Sequence, residues 1–394
     1  MIDRELEPAL KKLTELYHIV SLTGPRQSGK STLLRFAFPD YKYVSLEDLA
    51  LRGYALDDPK GFLEENHSKV IIDEAQHVPD LFSYLQITVD QDNRPGRYIL
   101  SGSQNFLLSK NISQSLAGRV GIARLLPLSY RELENHKHDC RLEALIYAGG
   151  YPRIYDQKIP PQLFYADYLD TYLDKDVNTL LKIRELTAFR RLLKLIAIRV
   201  GGELNVAALS RDAGVNVGTL NAWLSVLQAS YVIHLLPPYY QNLGKRLTKS
   251  PKLYFYDTGL LCSLIGLEST QQLAQCDQRG NIFENFIICE ILKDSYNIRR
   301  TPTLYYWRDS NKTEVDLVME AGGKTRLVEI KLSRTARPEH AKSVNIVGDL
   351  AKVPPKDRLV VYTGDDLVKL QAVTYTPWQN FFSSEAGNDS RAGE

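Results

Sequence analysis

Residues 19–31 read Ile-Val-Ser-Leu-Thr-Gly-Pro-Arg-Gln-Ser-Gly-Lys-Ser. The apolar run over 19–23 predicts a buried strand, and residues 24–31 match the pattern GxxxxGK(S/T). The residues that follow predict a helix from Lys30 to Phe38, which Pro39 ends. In such a turn between a strand and a helix, backbone N–H groups converge on phosphate oxygens, and the positive end of the helix points at them. The stretch therefore predicts a phosphate-binding loop.

The residues of this loop have separate predicted roles. Lys30 is expected to contact the β and γ phosphates of a nucleotide, and the hydroxyl of Ser31 is expected to bind Mg²⁺. The glycines allow the tight curvature of the loop because they carry no Cβ atom. The predicted nucleotide-binding residues are Gly24, Pro25, Arg26, Gln27, Ser28, Gly29, Lys30, Ser31 and Thr32.

A second strand ends in two acidic residues. Residues 69–72 form an apolar run typical of a strand buried on both faces, and Asp73 and Glu74 follow directly. We expect Asp73 to hold Mg²⁺ through water and Glu74 to orient and polarise the attacking water. The pair therefore predicts hydrolysis of the bound nucleotide.

Two further features are candidates for the same site. After the strand over 97–101, Ser103 or Gln104 is predicted to sense the γ phosphate or to position water, and a simple turn is the alternative. Arg119 is predicted to stabilise charge in the transition state of a neighbouring subunit, and a solvated arginine is the alternative.

The apolar periodicity changes twice along the chain. Strand-like runs alternate with helical stretches up to about residue 126, which predicts a parallel α/β sheet. A helical period follows, and a mixed α/β segment begins near residue 278. The predicted divisions are a nucleotide-binding domain at 1–135, a helical and winged-helix region at 136–262, an α/β domain at 263–382 and a polar, disordered tail at 383–394.

Residues 205–220 predict a helix-turn-helix with Gly214 in the turn, and the runs 232–236 and 252–256 are candidates for a wing. The second helix offers only neutral polar residues at its start: Asn216, Thr219 and Asn221. Because no Arg or Lys is present there, this helix start does not favour direct reading of DNA bases, and packing against protein is the alternative. The basic residues Lys245, Arg246, Lys249 and Lys252 are expected either to contact phosphates or to form a solvated face.

The C-terminal segment carries an Asp followed by Glu-x-Lys on two predicted strands. Asp316 lies on the first strand, and Glu329 and Lys331 share one face of the second. This is the arrangement of the PD-(D/E)xK nuclease fold, in which Asp316 and Glu329 would bind Mg²⁺ and Lys331 would steady a hydroxide or the phosphate. Glu284 would assist from a helix. An inactive scaffold is the alternative.

Five motifs occur in one order along the chain: Gly-Pro-Arg-Gln-Ser-Gly-Lys-Ser-Thr at 24–32, Ile-Ile-Asp-Glu-Ala-Gln at 71–76, Ile-Leu-Ser-Gly-Ser at 99–103, Ala-Gly-Arg at 117–119 and Pro-Leu-Ser-Tyr-Arg-Glu-Leu at 127–133. From about residue 13 to 364 the chain resembles prokaryotic AAA-type ATPases of the AAA+ superfamily that carry a C-terminal domain of unknown function. The resemblance implies a P-loop NTPase sheet, a winged-helix module and a restriction-endonuclease-like domain. The resemblance also implies that Arg119 is a candidate arginine finger. It implies that the bound nucleotide is ATP, because no guanine-reading Asn-Lys-x-Asp is present.

Composition excludes several classes of protein. Among 394 residues, Lys and Arg number 49 against 47 Asp and Glu, so any surface for DNA or RNA must be a local patch. The 4 cysteines show no CxxC spacing, which favours a reducing cytoplasm over a disulfide framework. No run of eighteen apolar residues occurs, so we expect no membrane span.

The leading hypothesis is a cytoplasmic ATPase that couples MgATP hydrolysis to a nuclease-like module engaging DNA or RNA. The alternatives are an ATP-gated nuclease that depends on Mg²⁺, and a nucleotide-controlled switch or assembly protein with an inactive scaffold. A polypeptide-remodelling motor ranks lower, because no aromatic-glycine pore loop is evident. A homo-oligomeric ring would let Arg119 act in trans.

Overall fold

The computed structural model describes residues 2–102, 112, 115–172, 186–239, 250–309 and 312–383. Its first sheet has five parallel strands in the order β2-β3-β4-β1-β5. These strands are β1 (Ile19–Thr23), β2 (Lys42–Ser45), β3 (Val70–Asp73), β4 (Tyr98–Gly102) and β5 (Val120–Arg124). The helices around them are α1 (Glu7–Leu16), α2 (Lys30–Ala37), α3 (Leu49–Asp57), α4 (Pro59–Glu65) and α5 (Leu81–Gln91). A short 3₁₀ helix, Ala75–His77, follows β3.

The strand order positions the predicted nucleotide site. Thr23 at the end of β1 is in register with Gly102, and Ser101 is in register with Asp73 at the end of β3. Because parallel strands share one carboxyl edge, the phosphate loop and the acidic pair meet there. Every residue of β1, β3 and β4 is buried, as continuous apolar runs predict for a sheet covered on both faces.

The middle of the chain is helical, as predicted. Gly214 ends the first helix of the helix-turn-helix in the left-handed region, with φ 75°. The helices are α6 (Tyr130–Asn135), α7 (Leu142–Ala148), α8 (Pro152–Asp156), α9 (Pro161–Tyr172), α10 (Leu186–Ile198), α11 (Val206–Ala213), α12 (Val217–Ala229), α13 (Thr258–Leu264) and α14 (Thr270–Gln275). The two runs expected to form a wing pair antiparallel, as β6 (Ile233–Leu236) and β7 (Lys252–Phe255).

The C-terminal part holds a mixed six-stranded sheet in the order β12-β13-β11-β10-β9-β8. Its strands are β8 (Thr303–Arg308), β9 (Glu314–Ala321), β10 (Lys324–Lys331), β11 (Arg358–Tyr362), β12 (Val368–Leu370) and β13 (Val373–Pro377). Its helices are α15 (Arg279–Asn297), α16 (Lys342–Leu350) and α17 (Trp378–Ser383), with 3₁₀ helices at Pro338–Ala341 and Pro355–Asp357. Strands β9 and β10, which carry Asp316 and Glu329, are adjacent and antiparallel.

One hydrophobic core joins the helical middle to the C-terminal sheet. It runs from Leu126 through the helices to Phe382, and α15 lies inside it. The side-chain amide of Asn285 on α15 donates to the carbonyl of Phe255 and accepts from its N–H, which fixes α15 against β7. A movement of one part would therefore strain the other. Among the described residues, no helix is long and apolar enough to cross a membrane.

Candidate functional site

The loop after β1 has the backbone that its glycines predict. Gly29, directly before α2, is left-handed with φ 92°. A Cβ atom at Gly24 would collide with the carbonyl oxygen of Leu125, so this position accepts only glycine without a shift of the neighbouring chain. Helix α2 begins at Lys30, and its amino end faces the loop. The curvature expected of a phosphate-binding loop is therefore present.

Lys30 is drawn into the loop. Its ammonium donates hydrogen bonds to the carbonyl oxygens of Gly24, at 2.9 Å, and Pro25, at 2.8 Å. A phosphate oxygen would offer the same ammonium a charged acceptor, which makes a stronger hydrogen bond than a carbonyl. The side chain is therefore held beside the place where the phosphates are expected.

Asp73 is the polar centre at the end of β3. One carboxylate oxygen accepts a hydrogen bond from Ser31 at 2.8 Å and another from the hydroxyl of Tyr43, and the other oxygen accepts from Ser101. Burial, then the hydrogen bond and charge of Asp73, raises the pKa of Tyr43 to about 12. The Ser31 hydroxyl and the Asp73 carboxylate are hard oxygen ligands, so this pair fits Mg²⁺.

Glu74 has a left-handed backbone with φ 53°, which turns the chain out of β3 into the 3₁₀ helix. The side-chain amide of Gln76 donates to its carboxylate. Glu74 lines a cavity of about 570 Å³ together with Lys30 and Ser31. The proposed water-polarising carboxylate therefore faces the same space as the phosphate loop.

The helical middle closes one side of this cavity, a contribution that sequence reasoning missed. Arg153, Asp156 and Gln157 line it, together with Pro152 at the start of α8. Arg153 donates to the side-chain oxygen of Gln157 at 3.1 and 3.2 Å. No motif marks these residues, because the fold brings them to the loop from more than a hundred positions away.

Sequence reasoning also missed the contact of Arg4 with the loop. Its guanidinium donates to the carbonyl of Ser28 in the loop at 2.8 Å, to the carbonyl of Leu126 at 2.7 Å and to the carboxylate of Glu132 at 2.9 Å. Both charged side chains are almost fully buried. The only hint in the sequence is the motif Pro-Leu-Ser-Tyr-Arg-Glu-Leu at 127–133, which contains Glu132. The amino-terminal segment therefore supports the phosphate loop from behind.

Three further residues are predicted to contribute to the site: Ser103, Gln104 and Arg119. Ser103 and Gln104 lie outside the described residues. Arg119 directly precedes β5, so it lies at the amino edge of the sheet, opposite the phosphate loop. Its guanidinium pairs with Asp90 at 2.6 Å, and the pair is partly exposed.

Lys252 was expected to belong to a basic patch over 245–252, and this prediction is wrong. Its side chain is 3% exposed and pairs with Glu314 at 2.6 Å and with Glu284 at 3.1 Å, so it is neither solvated nor free to contact phosphates. Burial lowers the pKa of Lys252, but the surrounding carboxylates outweigh it and the net pKa is raised. Lys245, Arg246 and Lys249 lie outside the described residues. Asn216 caps α12 by accepting from the N–H of Thr219 at 2.8 Å.

The structure brings the predicted nuclease-like residues together. Lys331 pairs with Glu329 at 2.7 Å and with Asp316 at 3.8 Å. Burial, then the charge of Asp316, raises the pKa of both Glu284 and Glu329. In the part of the chain that the structure describes, no three His, Cys, Asp or Glu side chains are grouped to hold a metal ion. Lys252 pairs with Glu284, and Lys331 pairs with Glu329 and Asp316, so binding of Mg²⁺ by Glu284, Asp316 and Glu329 stays a prediction.

Three family models match consecutive parts of the chain. The family described as AAA domain matches residues 17–134, and two domains of unknown function, DUF8612 and DUF4143, match residues 140–271 and 279–381. Among solved structures, the chain is similar to a Walker-type ATPase of Pyrococcus abyssi, with 17% identity, a TM-score of 0.45 and coverage of 67% of this chain and 96% of that chain. The five-stranded parallel sheet is that of a P-loop NTPase, as predicted, and it is followed by a helical region and a mixed-sheet domain.

Relatives match along most of the chain. The uncharacterized protein Rv2008c of Mycobacterium tuberculosis is 30% identical over 86% of this chain and 76% of its own length. The uncharacterized protein MJ1544 of Methanocaldococcus jannaschii is 23% identical over 94% of this chain and 87% of its own length. The AAA domain and the DUF4143 domain agree with the expected AAA-type ATPase of unknown function. The chain therefore belongs to the family of AAA-domain proteins that includes Rv2008c of Mycobacterium tuberculosis.

Proposed function

We propose that this protein binds MgATP at the loop over 24–31 and hydrolyses it. The observation that carries the proposal is the hydrogen bond of 2.8 Å between the Ser31 hydroxyl and the Asp73 carboxylate, at the carboxyl edge of a P-loop sheet. This contact supports the proposal because it joins two residues predicted to hold Mg²⁺ that lie 42 residues apart in sequence. The adjoining cavity of about 570 Å³ has room for a nucleotide.

Each residue has a role that its surroundings support. Lys30 exchanges its two carbonyl acceptors for phosphate oxygens, and the loop amides bind the same phosphates. Ser31 and Asp73 would hold Mg²⁺, which supplies neutralising charge to the phosphates. Glu74 polarises the attacking water, and Gln76 holds its carboxylate until the substrate is bound. Ser103 or Gln104 is proposed to contact the γ phosphate.

Arg119 is proposed to act in a neighbouring subunit. Because it precedes β5 at the amino edge of its own sheet, it cannot reach the loop after β1 of the same chain. Its exposed pair with Asp90 can be exchanged for a charged acceptor at little cost. A homo-oligomeric ring would bring this arginine to the next subunit's phosphates.

A second candidate function is a nucleotide-controlled switch, and it is favoured by one contact. The hydroxyl of Thr23, next to the first loop glycine, lies 3.0 Å from the hydroxyl of Tyr231 in the helical middle. A change in the loop on nucleotide binding would thus reach β6 and, through the common core, the C-terminal sheet. We infer that the C-terminal domain engages a partner in a nucleotide-dependent way, and nucleic acid is the first partner to test.

The test is ATP turnover by the full chain with and without single-stranded DNA, duplex DNA and RNA. Lys30→Ala should abolish turnover, whereas Lys60→Ala, on the exposed face of α4, should turn over as the wild type does. Turnover that survives in Lys30→Ala would refute the assigned site. Stimulation by one nucleic acid, together with tighter binding of it in ATP than in ADP, supports the partner proposal, and no response to any of them contradicts it.

A nuclease role is tested in the same samples. The pairing of these carboxylates with lysines favours a scaffold, so we expect no Mg²⁺-dependent cleavage of single-stranded, duplex or branched DNA. Cleavage that disappears in Lys331→Ala while ATP turnover continues would reverse this conclusion.

A further inference from the structure

The C-terminal acidic cluster is defined by four carboxylates: Glu284 on α15, Glu314 and Asp316 on β9, and Glu329 on β10. Its two ammonium groups come from different parts of the chain. Lys331 belongs to the C-terminal sheet itself. Lys252 is the first residue of β7 and belongs to the helical middle. The cluster is therefore completed by a cation supplied from outside its own sheet.

The Lys252 side chain is buried inside the cluster. Its ammonium lies 2.6 Å from Glu314 and 3.1 Å from Glu284, and its side chain is 3% exposed. The ring of Tyr306 lies 5.5 Å from the same ammonium, and the hydroxyl of Tyr254 donates to Glu284 at 2.6 Å. A buried ammonium in this position satisfies carboxylates that would otherwise repel each other.

One carboxylate oxygen of the cluster is left over. Glu329 is 5% exposed, and its Oε2 is buried without a hydrogen-bond partner, although Oε1 pairs with Lys331. A buried carboxylate oxygen without a partner carries a free-energy cost that a cation would remove. The four carboxylates thus retain binding capacity that the two lysines do not fill.

We propose that Lys252 is an internal cation that excludes divalent metal from the acidic cluster and, in doing so, clamps the β6–β7 pair onto the C-terminal sheet. Among the described residues, no three His, Cys, Asp or Glu side chains are arranged to hold a metal ion, and the Lys252 ammonium pairs with two of the four carboxylates. Loss of this ammonium would leave Glu284, Asp316 and Glu329 to a hard divalent cation. The helical middle therefore controls whether the cluster can take a metal ion.

The test measures Mn²⁺ binding to the full chain without nucleotide, by electron paramagnetic resonance and calorimetry. All variants are made in an Asp73→Asn background, so that metal at the phosphate loop does not contribute. The parent chain should bind Mn²⁺ weakly, and Lys252→Met should bind one Mn²⁺ at least about tenfold more tightly, because a competing unit charge is removed. Adding Glu329→Gln should abolish the gain.

Lys293→Met is the matched control, because it removes another buried ammonium, which pairs with Glu290 at 2.6 Å on α15. It should give no gain in Mn²⁺ binding. If Lys252→Met does not fold, Lys252→Gln takes its place. Equal Mn²⁺ affinity with and without the lysine, or tight binding by the parent that Glu329→Gln removes, would overturn the proposal. Neither outcome bears on ATP binding, so the two proposals fail independently.

Discussion

The hydroxyl of Tyr231 lies 3.0 Å from that of Thr23, so the last residue of β1 is hydrogen-bonded to the segment between α12 and β6. Thr23 is followed by the first glycine of the phosphate loop. Tyr231 is buried and left-handed, with φ 57°. The contact thus joins the nucleotide loop to the helical middle through two fixed groups.

Tyr231→Phe removes this hydrogen bond and keeps the ring. We expect a loss of about 1 kcal/mol in the free energy of unfolding, because one buried hydrogen bond is lost. ATP should still bind, but the nucleotide-dependent change in hydrogen exchange over residues 231–236 should shrink. Tyr147→Phe, which removes a bond of 2.7 Å to the carbonyl of Glu268, is the control. An unchanged exchange response in Tyr231→Phe would refute the coupling.

Arg4→Met should destabilise the protein strongly. It leaves the carboxylate of Glu132, 1% exposed, as a buried charge without its guanidinium, which costs about 3–5 kcal/mol. The double variant with Glu132→Gln should lose less than the sum of the two single variants, as urea unfolding will measure. Arg141→Met, which breaks an exposed pair with Asp139, should cost less than about 1 kcal/mol. Additive losses at Arg4 and Glu132 would contradict a coupled pair.

Glu74→Gln should separate hydrolysis from binding. We expect turnover to fall about 10²–10⁴-fold, because the amide cannot accept a proton from water. Nucleotide affinity measured by calorimetry should change little, since the amide keeps the shape of the side chain. Glu64→Gln on the exposed face of α4 is the control. Wild-type turnover in Glu74→Gln would remove this residue from the catalytic role.

Arg119→Ala should reduce ATP turnover, and a second chain with an intact Arg119 should restore it. Mixed with Lys30→Ala chains, which have an intact Arg119, the Arg119→Ala chains should regain activity if the arginine acts between subunits. Asp90→Asn alone, which releases Arg119 from its ion pair, should turn over normally. Absence of rescue in the mixture, with both variants folded and associated, would contradict action in trans.

The stability of the protein should fall as pH rises because of Asp294. Burial, opposed by Arg131 and reinforced by Glu290, raises the pKa of Asp294 from 3.8 to about 8. The folded chain keeps the proton that the unfolded chain releases, so this contribution is complete below about pH 4 and is lost as pH approaches 8.

Asp294→Asn removes this titration. As the pH rises from 5 to 8, its free energy of unfolding should increase relative to that of the wild type, by up to about 1.4 kcal/mol for each pH unit. Urea unfolding at the two pH values measures the difference. Exposed Asp277→Asn should follow the wild type. A constant difference between Asp294→Asn and the wild type would disprove the raised pKa.

Local sequence predicted the strands and the loop well, for a physical reason. Residues 19–23 and 70–72 lie in strands that are covered on both faces, which favours apolar side chains. The glycines of the turn permit the positive φ and the close backbone contact that the turn requires. The same reasoning missed α16, β12 and β13. A three-residue edge strand such as β12 is set by its neighbour rather than by its own residues.

The sequence by itself determined the strand, the glycine turn and the acidic pair that predict a phosphate-binding loop, because backbone geometry at glycines and burial of apolar strands are local properties. Only the tertiary structure decided what the charged side chains contact. Arg4 supports the loop from a distant segment, and Lys252 lies inside a carboxylate cluster rather than on a basic surface. Electrostatic partners act through space, and a linear pattern holds no information on which distant charges the packed core brings within 3 Å or so of each other.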